Sequence, residues 1–196
     1  MVFKKNRIKK NIQTVIFFSF GYGDSISTLR VLGPLEQLGI TVINGFEKKI
    51  VDEKNVRRAD IIILGREFSR STVEYEKVMS LARKIDIPVV LDIDDLLFEL
   101  PENHPDRLSY FFADALLPLF QAIIEVDLIT VSTENLRNSF LPYNKNIAVL
   151  PNFLNDSVWQ LSPPRRDKGE KVVIGYMGTL SHQPDLQMIA PVLLRL

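Results

Sequence analysis

Short, unbroken apolar runs alternate along this chain with longer stretches whose apolar positions recur at helical spacing. The runs at residues 15–21, 41–43, 60–64, 88–91, 128–131 and 147–150 are continuous rather than alternating, the pattern of parallel strands covered on both faces. After the first run, Leu29, Leu32, Leu35 and Leu38 share one face of a helix that Ser25 or Ser27 can cap and that ends near Gly39. Pro34 interrupts that pattern and is expected to bend the helix or delay its start. Asn44-Gly45 closes the second strand, and a polar turn after the third leads to a helix from about residue 71 to 84. A proline-bounded loop over 100–105 precedes an apolar helix near 107–125, and Ser132 or Thr133 caps a helix with Glu134 and Asn135 in its first turn. Strand followed by helix, repeated, predicts an α/β fold: a Rossmann-like parallel sheet with helices on both faces.

The opening pattern then recurs. Val-Val-Ile-Gly-Tyr-Met-Gly at 172–178 repeats the strand and glycine turn of Val-Ile-Phe-Phe-Ser-Phe-Gly at 15–21. At one constant offset Gly21 falls on Gly178, Leu29 on Leu186 and Pro34 on Pro191. This predicts an N-terminal Rossmann-like domain over 1–152, a linker over 153–170 and the start of a second domain of the same class over 171–196. The linker composition (Asn155, Asp156, Ser162, Pro163, Pro164, Arg165, Arg166, Asp167, Gly169) fits that reading. Trp159, the single tryptophan, is expected to pack the linker onto a domain. The rest of the second domain is then expected beyond Leu196, leaving the apolar residues Met188, Ile189, Val192, Leu193, Leu194 and Leu196 exposed.

Composition narrows the function classes. An apolar fraction of 46% and a charged fraction of 24% are those of an ordinary globular chain. Lys+Arg and Asp+Glu are both 24, so no global field draws nucleic acid. The absence of cysteine removes disulfides and thiolate chemistry and fits a cytoplasmic protein. Lys4, Lys5, Arg7, Lys9 and Lys10 precede the first apolar run. The run is interrupted and lacks a small-residue cleavage site, so it reads as a strand behind a frayed basic leader, with peripheral contact to anionic lipid at the inner membrane face as the functional option. No stretch reaches the roughly 20 apolar residues of a membrane span.

Ligands of open parallel sheets collect at the carboxyl ends of strands. Gly21-Tyr22-Gly23-Asp24-Ser25 follows the first strand. Its glycines permit close backbone approach, while Asp24 would repel a phosphate and suits a hydroxyl-rich ligand. A tight turn capped by Asp24 or Ser25 is the equal alternative. Asp92-Ile93-Asp94-Asp95-Leu96 ends the fourth strand and has several readings. It resembles the first motif of haloacid-dehalogenase-like phosphatases, although that motif normally opens its sheet. It also resembles the metal-holding Asp-x-Asp of single-domain sugar transferases. Alternatively, Asp94 or Asp95 caps a turn, with or without bonding a polar ligand. His104, in the loop that follows, is a candidate proton shuttle. Thr179 and His182, between a strand and a helix with Pro184 in its first turn, could donate to a diphosphate. The two histidines do not have zinc-site spacing, and no metal site is expected.

In this order the elements resemble the GT-B glycosyltransferases, in particular family four. Ile147-Ala148-Val149-Leu150-Pro151-Asn152-Phe153, with Asp156 and Trp159 downstream, is similar to the Pro-Asn-Gly segment that closes the N-terminal domain there, Phe153 standing in for the usual glycine. Residues 172–178 are similar to the first strand and glycine turn of the donor domain. Leu91 to Phe98, and Gly175 to Thr179 with His182 and Asp185, resemble a bacterial subgroup.

The resemblance implies transfer of a sugar from a nucleotide-sugar donor to a glycan, lipid-linked or small-molecule acceptor, with no cofactor beyond the donor substrate and no essential metal. It places Asp94 and His104 as catalytic residues. Gly21, Gly23, Asp24 and Asp95 would bind acceptor, and Gly178, Thr179 and His182 the donor. The family's paired glutamates belong beyond Leu196, so the chain alone is expected to be inactive, a fragment or a half-enzyme whose partner chain supplies the C-terminal domain. A non-catalytic α/β binding or scaffold protein is the rival reading.

Overall fold

The computed structural model describes residues 11–156, 174–176, 178 and 182–195. Six strands form one parallel sheet: β1 (Thr14–Phe18), β2 (Thr41–Asn44), β3 (Ile61–Gly65), β4 (Val89–Ile93), β5 (Leu128–Val131) and β6 (Ile147–Val149). Their order in space is β2-β1-β3-β4-β5-β6. The chain winds outward from β1 to one edge, returns to β3, and then proceeds strand by strand to the other edge. This is a doubly wound Rossmann-like arrangement whose direction reverses between β1 and β3. The strands form where the sequence carries its unbroken apolar runs.

The helices are α1 (Ser25–Ser27), α2 (Gly33–Gln37), α3 (Glu53–Arg58), α4 (Thr72–Ile85), α5 (Pro105–Leu108), α6 (Ala113–Glu125), α7 (Glu134–Phe140) and α8 (Gln183–Leu193). Between α1 and α2 the chain makes a π-helical turn over Thr28–Leu32, with the Gly33 amide reaching back to the Thr28 carbonyl. The sequence predicts a bend or a late start at Pro34. Instead, the hydrogen bonding widens by one residue just before a proline that has no amide to give.

The two faces of the sheet are filled unequally. Side chains alternate across a strand, so Leu91 and Ile93 point one way and Asp92 the other. The Leu91 face carries the main core. There Ile16, Phe18, Ile62, Leu64 and Ile129 pack with Tyr75, Val78, Ala82, Leu119, Ala122 and Ile123 of α4 and α6. Over Asp92 lies the 25–37 segment, which contributes buried Val31 and Ser27. Gly45 is needed where β2 ends: a Cβ there would lie 2.7 Å from the Phe18 ring.

Among the described residues no helix is long and apolar enough to cross a membrane. The basic leader and Trp159 lie outside the described residues, as does most of the predicted linker. In α8 Met188, Ile189, Val192 and Leu193 are exposed, as is Leu194 just after it.

Candidate functional site

The loop after β1 is closed by short-range polar bonds. The Asp24 carboxylate accepts from the Ser27 amide and hydroxyl, both at 2.7 Å. The same hydroxyl shares its one proton with the Gly21 carbonyl, 2.6 Å away, and accepts from the Gly23 amide at 3.0 Å. Gly23 has a φ of +86°, a conformation that favours glycine. Of the two alternatives for Asp24, the cap of α1 is thus what its carboxylate does. The turn still borders open space. A cavity of about 100 Å³ is lined by Ser19, Gly21, Asp24, Arg66, Asp92 and Asp94, among others. It opens at the carboxyl ends of β1, β3 and β4, the switch point of the sheet.

Parallel register builds the far wall. Gly65 pairs with Asp92, and Asp92 with Thr130, so the residue following β3 comes beside the end of β4. That residue is Arg66. Its guanidinium bonds Asp94 at 3.0 Å and also Asp95, with Glu67 at 3.6 Å. Phe112 lies beneath it, 5.9 Å from ring centre to guanidinium carbon. Ser132 donates to the Asp94 carbonyl at 3.1 Å. Burial pushes the Asp94 carboxyl above its usual range; Arg66 opposes that shift without cancelling it, and Asp95 and Asp92 add to it.

Asp92 belongs to a second cluster. Arg30 grips it through Nε and Nη2 at 2.7 and 2.6 Å, and the Thr130 hydroxyl donates to it at 2.6 Å. The remaining Nη1 of Arg30 donates to the Leu150 carbonyl at 3.1 Å and to the Asn152 side-chain oxygen at 2.7 Å. The Arg30 side chain is 2% exposed. Burial works against its charge, and the Asp92 bonds outweigh that, so it titrates above its usual range.

The acidic run therefore divides between two arginines. Asp92 goes to Arg30, while Asp94 and Asp95 go to Arg66. Among the described residues no group of three or more metal-ligating side chains gathers.

Of the predicted site residues, Gly21, Asp24 and Asp94 line one cavity, and Asp95 adjoins it through Arg66. Gly23 lines a neighbouring apolar groove of about 600 Å³ with Leu29, Pro34 and Phe153. His104 does not line the cavity with Asp94. It caps α5, its Nδ1 accepting from the Asp106 amide at 3.2 Å. His182 pairs through Nδ1 with Asp185 at 2.9 Å at the start of α8, and a Cβ on Gly178 would press on the Tyr176 ring. Thr179 lies outside the described residues.

Sequence reasoning missed both arginines. Arg66 follows a strand end directly and was accessible to the same rule that selected Gly21 and Asp94. Arg30 sits between Leu29 and Val31 in an apolar helical stretch, a position where a charge needs a buried partner.

No family model matches this chain, and no curated protein matches it. Among solved structures, a conserved protein from Enterococcus faecalis V583 is similar with a TM-score of 0.34 and 13% identity, over 70% of this chain and 92% of that one. A likeness of that size carries no functional inference.

Proposed function

We propose that the chain supplies the acceptor side of a glycosyltransferase. In this reading a sugar passes from a nucleotide-sugar donor to a hydroxyl of a glycan, lipid-linked or small-molecule acceptor. The observation that carries it is the cavity at the switch point, where a glycine turn, one guanidinium and several carboxylates meet the apolar side chains of Phe17, Phe20, Ile26 and Val31. A guanidinium and carboxylates beside aromatic rings suit a hydroxyl-rich ligand with an apolar face, and clustered carboxylates do not suit a phosphate.

In the reaction the acceptor oxygen bonds to the anomeric carbon, the bond from that carbon to the diphosphate breaks, and the diphosphate leaves with the electron pair. The acceptor hydroxyl loses its proton. Asp94, whose proton affinity is raised by burial, is the cavity carboxylate best suited to receive it. Arg66 fixes that carboxylate's orientation. Charge growing on the diphosphate needs cations or helix N-termini; the start of α8, with His182 and Gly178, and with Thr179 nearby in sequence, is the donor-side group in this reading. The nucleotide sugar is a substrate, and no further cofactor is invoked. The site of action is the cytoplasm, with the basic leader against the inner membrane face.

One observation favours the rival reading, a non-catalytic α/β binding or scaffold protein: Asp24, Asp92, Asp94 and Asp95 all have partners within the chain. Assay separates the two. The chain is incubated with labelled nucleotide sugars and a panel of acceptors, with and without a chain carrying a donor-binding domain. Transfer confined to the complemented mixture, and weakened by Asp94→Asn, is expected. No saccharide binding and no transfer in either mixture would refute the transferase reading.

A further inference from the structure

We infer that Arg30 couples the cavity to the direction in which the chain leaves the sheet. One guanidinium holds two things far apart in sequence. Its Nε and Nη2 engage the carboxylate of Asp92, a cavity-lining residue. Its Nη1 engages the Leu150 carbonyl and the Asn152 side-chain oxygen, just past β6. Asp92 and Asn152 thus communicate through the two ends of a planar, rigid fork.

The burial makes the link consequential. At 2% exposure Arg30 has little water to turn to, so a change at the Asp92 end moves the fork rather than being absorbed by solvent, although Leu150 and Asn152 at the other end are exposed. Leu150 is otherwise tied to the sheet by its own amide, which donates to the Val131 carbonyl at 2.8 Å. Pro151 has no amide to give. Phe153 and Leu154 beyond it are exposed, so the Arg30 bonds to Leu150 and Asn152 hold the exit path at its base. A ligand that draws on the Asp92 carboxylate loosens the fork and frees the exit. Linkage makes the effect reciprocal: a fixed exit pre-sets Asp92 for the cavity. The coupling requires no transferase chemistry, and it stands or falls separately from that reading.

Backbone 15N relaxation on the labelled chain tests it. In the wild type Asn152 is expected to have an order parameter near the 0.85 or so of rigid backbone. Asp92→Asn should lower it toward about 0.6 while the strand amides of Ile62 to Leu64 keep their values. Asn152→Ala should, in return, shift the side-chain resonances of Asp92 and Thr130. In an Arg30→Gln background neither substitution should affect the other site. If Asp92→Asn does not fold, Arg30→Lys, which keeps the charge and loses the fork, should produce the same loss of order at Asn152. An unchanged Asn152 in folded Asp92→Asn or Arg30→Lys protein would overturn the inference, as would an Asp92 response to Asn152→Ala that persists in Arg30→Gln.

Discussion

Two arginine–carboxylate clusters stand at the same carboxyl end of the sheet, and they differ in what they leave free. The Arg30–Asp92 pair is closed: the side chains are 2% and 11% exposed, and every nitrogen of the fork has a named acceptor. The Arg66 cluster is open on one side, with Asp94 at 10% and Asp95 at 57% exposure. The same chemistry thus serves two ends. A closed pair orders the structure around it, because breaking it strands a charge away from water. An open cluster can exchange one partner for a ligand hydroxyl at small cost. That contrast directs attention to Arg66 and the exposed Asp95 for partner exchange, with Asp94 as buried as Asp92, and to Arg30 for architecture, with Asp92 standing between architecture and cavity.

The strongest way to break the contrast is to remove one carboxylate from each cluster. Asp92→Ala leaves Arg30 buried and unpaired and is expected to cost about 3–5 kcal/mol in urea unfolding. Asp95→Ala should cost less than about 1 kcal/mol. Equal losses would erase the distinction. Thr130→Val sharpens it, since it deletes only the hydroxyl bond to Asp92; a loss of about 1 kcal/mol is expected.

Asp94 gives a smaller effect with a definite sign. Its folded pKa is raised, so the folded state binds the proton more tightly than the unfolded one. The associated stability is present below the unfolded carboxylate pKa and is lost as pH rises through the raised folded value. Asp94→Asn should therefore flatten the stability profile above the unfolded carboxylate pKa, and change stability at neutral pH by less than about 1 kcal/mol. A profile parallel to wild type would contradict the burial assigned to this group.

The smallest expected effect lies at a third arginine. Arg70 bonds Asp114 at 2.6 and 2.9 Å on the surface and holds that carboxyl below its usual range. Its contribution is present above the unfolded pKa and lost as pH falls through the folded one. Asp114 is exposed, so about 0.5 M salt should screen the pair. Asp114→Asn is then expected to leave the urea midpoint in salt unmoved.

The sheet was legible because each strand is a continuous apolar run, and burial on both faces leaves few other ways to place one. Asp24 as a helix cap was legible too, since its chemistry is local. The arginine clusters were not. Arg30 meets Asp92 across 62 residues and Asn152 across 122, pairings that no local spacing encodes and that only the strand order brings together. Arg66 was within reach of the strand-end rule, but a polar turn does not announce which side chain faces inward. His104 shows the converse. Its position after β4 suggests proton transfer, and the structure adds a role the sequence reading did not give it, the cap of the short helix that the following proline starts.

The proposed function requires that the cavity beside the β1 turn receive a hydroxyl-rich ligand. A 1H–15N titration of the labelled chain with neutral oligosaccharides tests it most directly, with the amides of Gly21 and Gly23 and the Arg66 Nε–H as reporters. Saturable shifts at Gly21 and Arg66 are expected, reduced by Asp94→Asn and not produced by inorganic phosphate. Spectra that stay unchanged across the saccharide panel, or shifts confined to residues away from the β1, β3 and β4 ends, would contradict it.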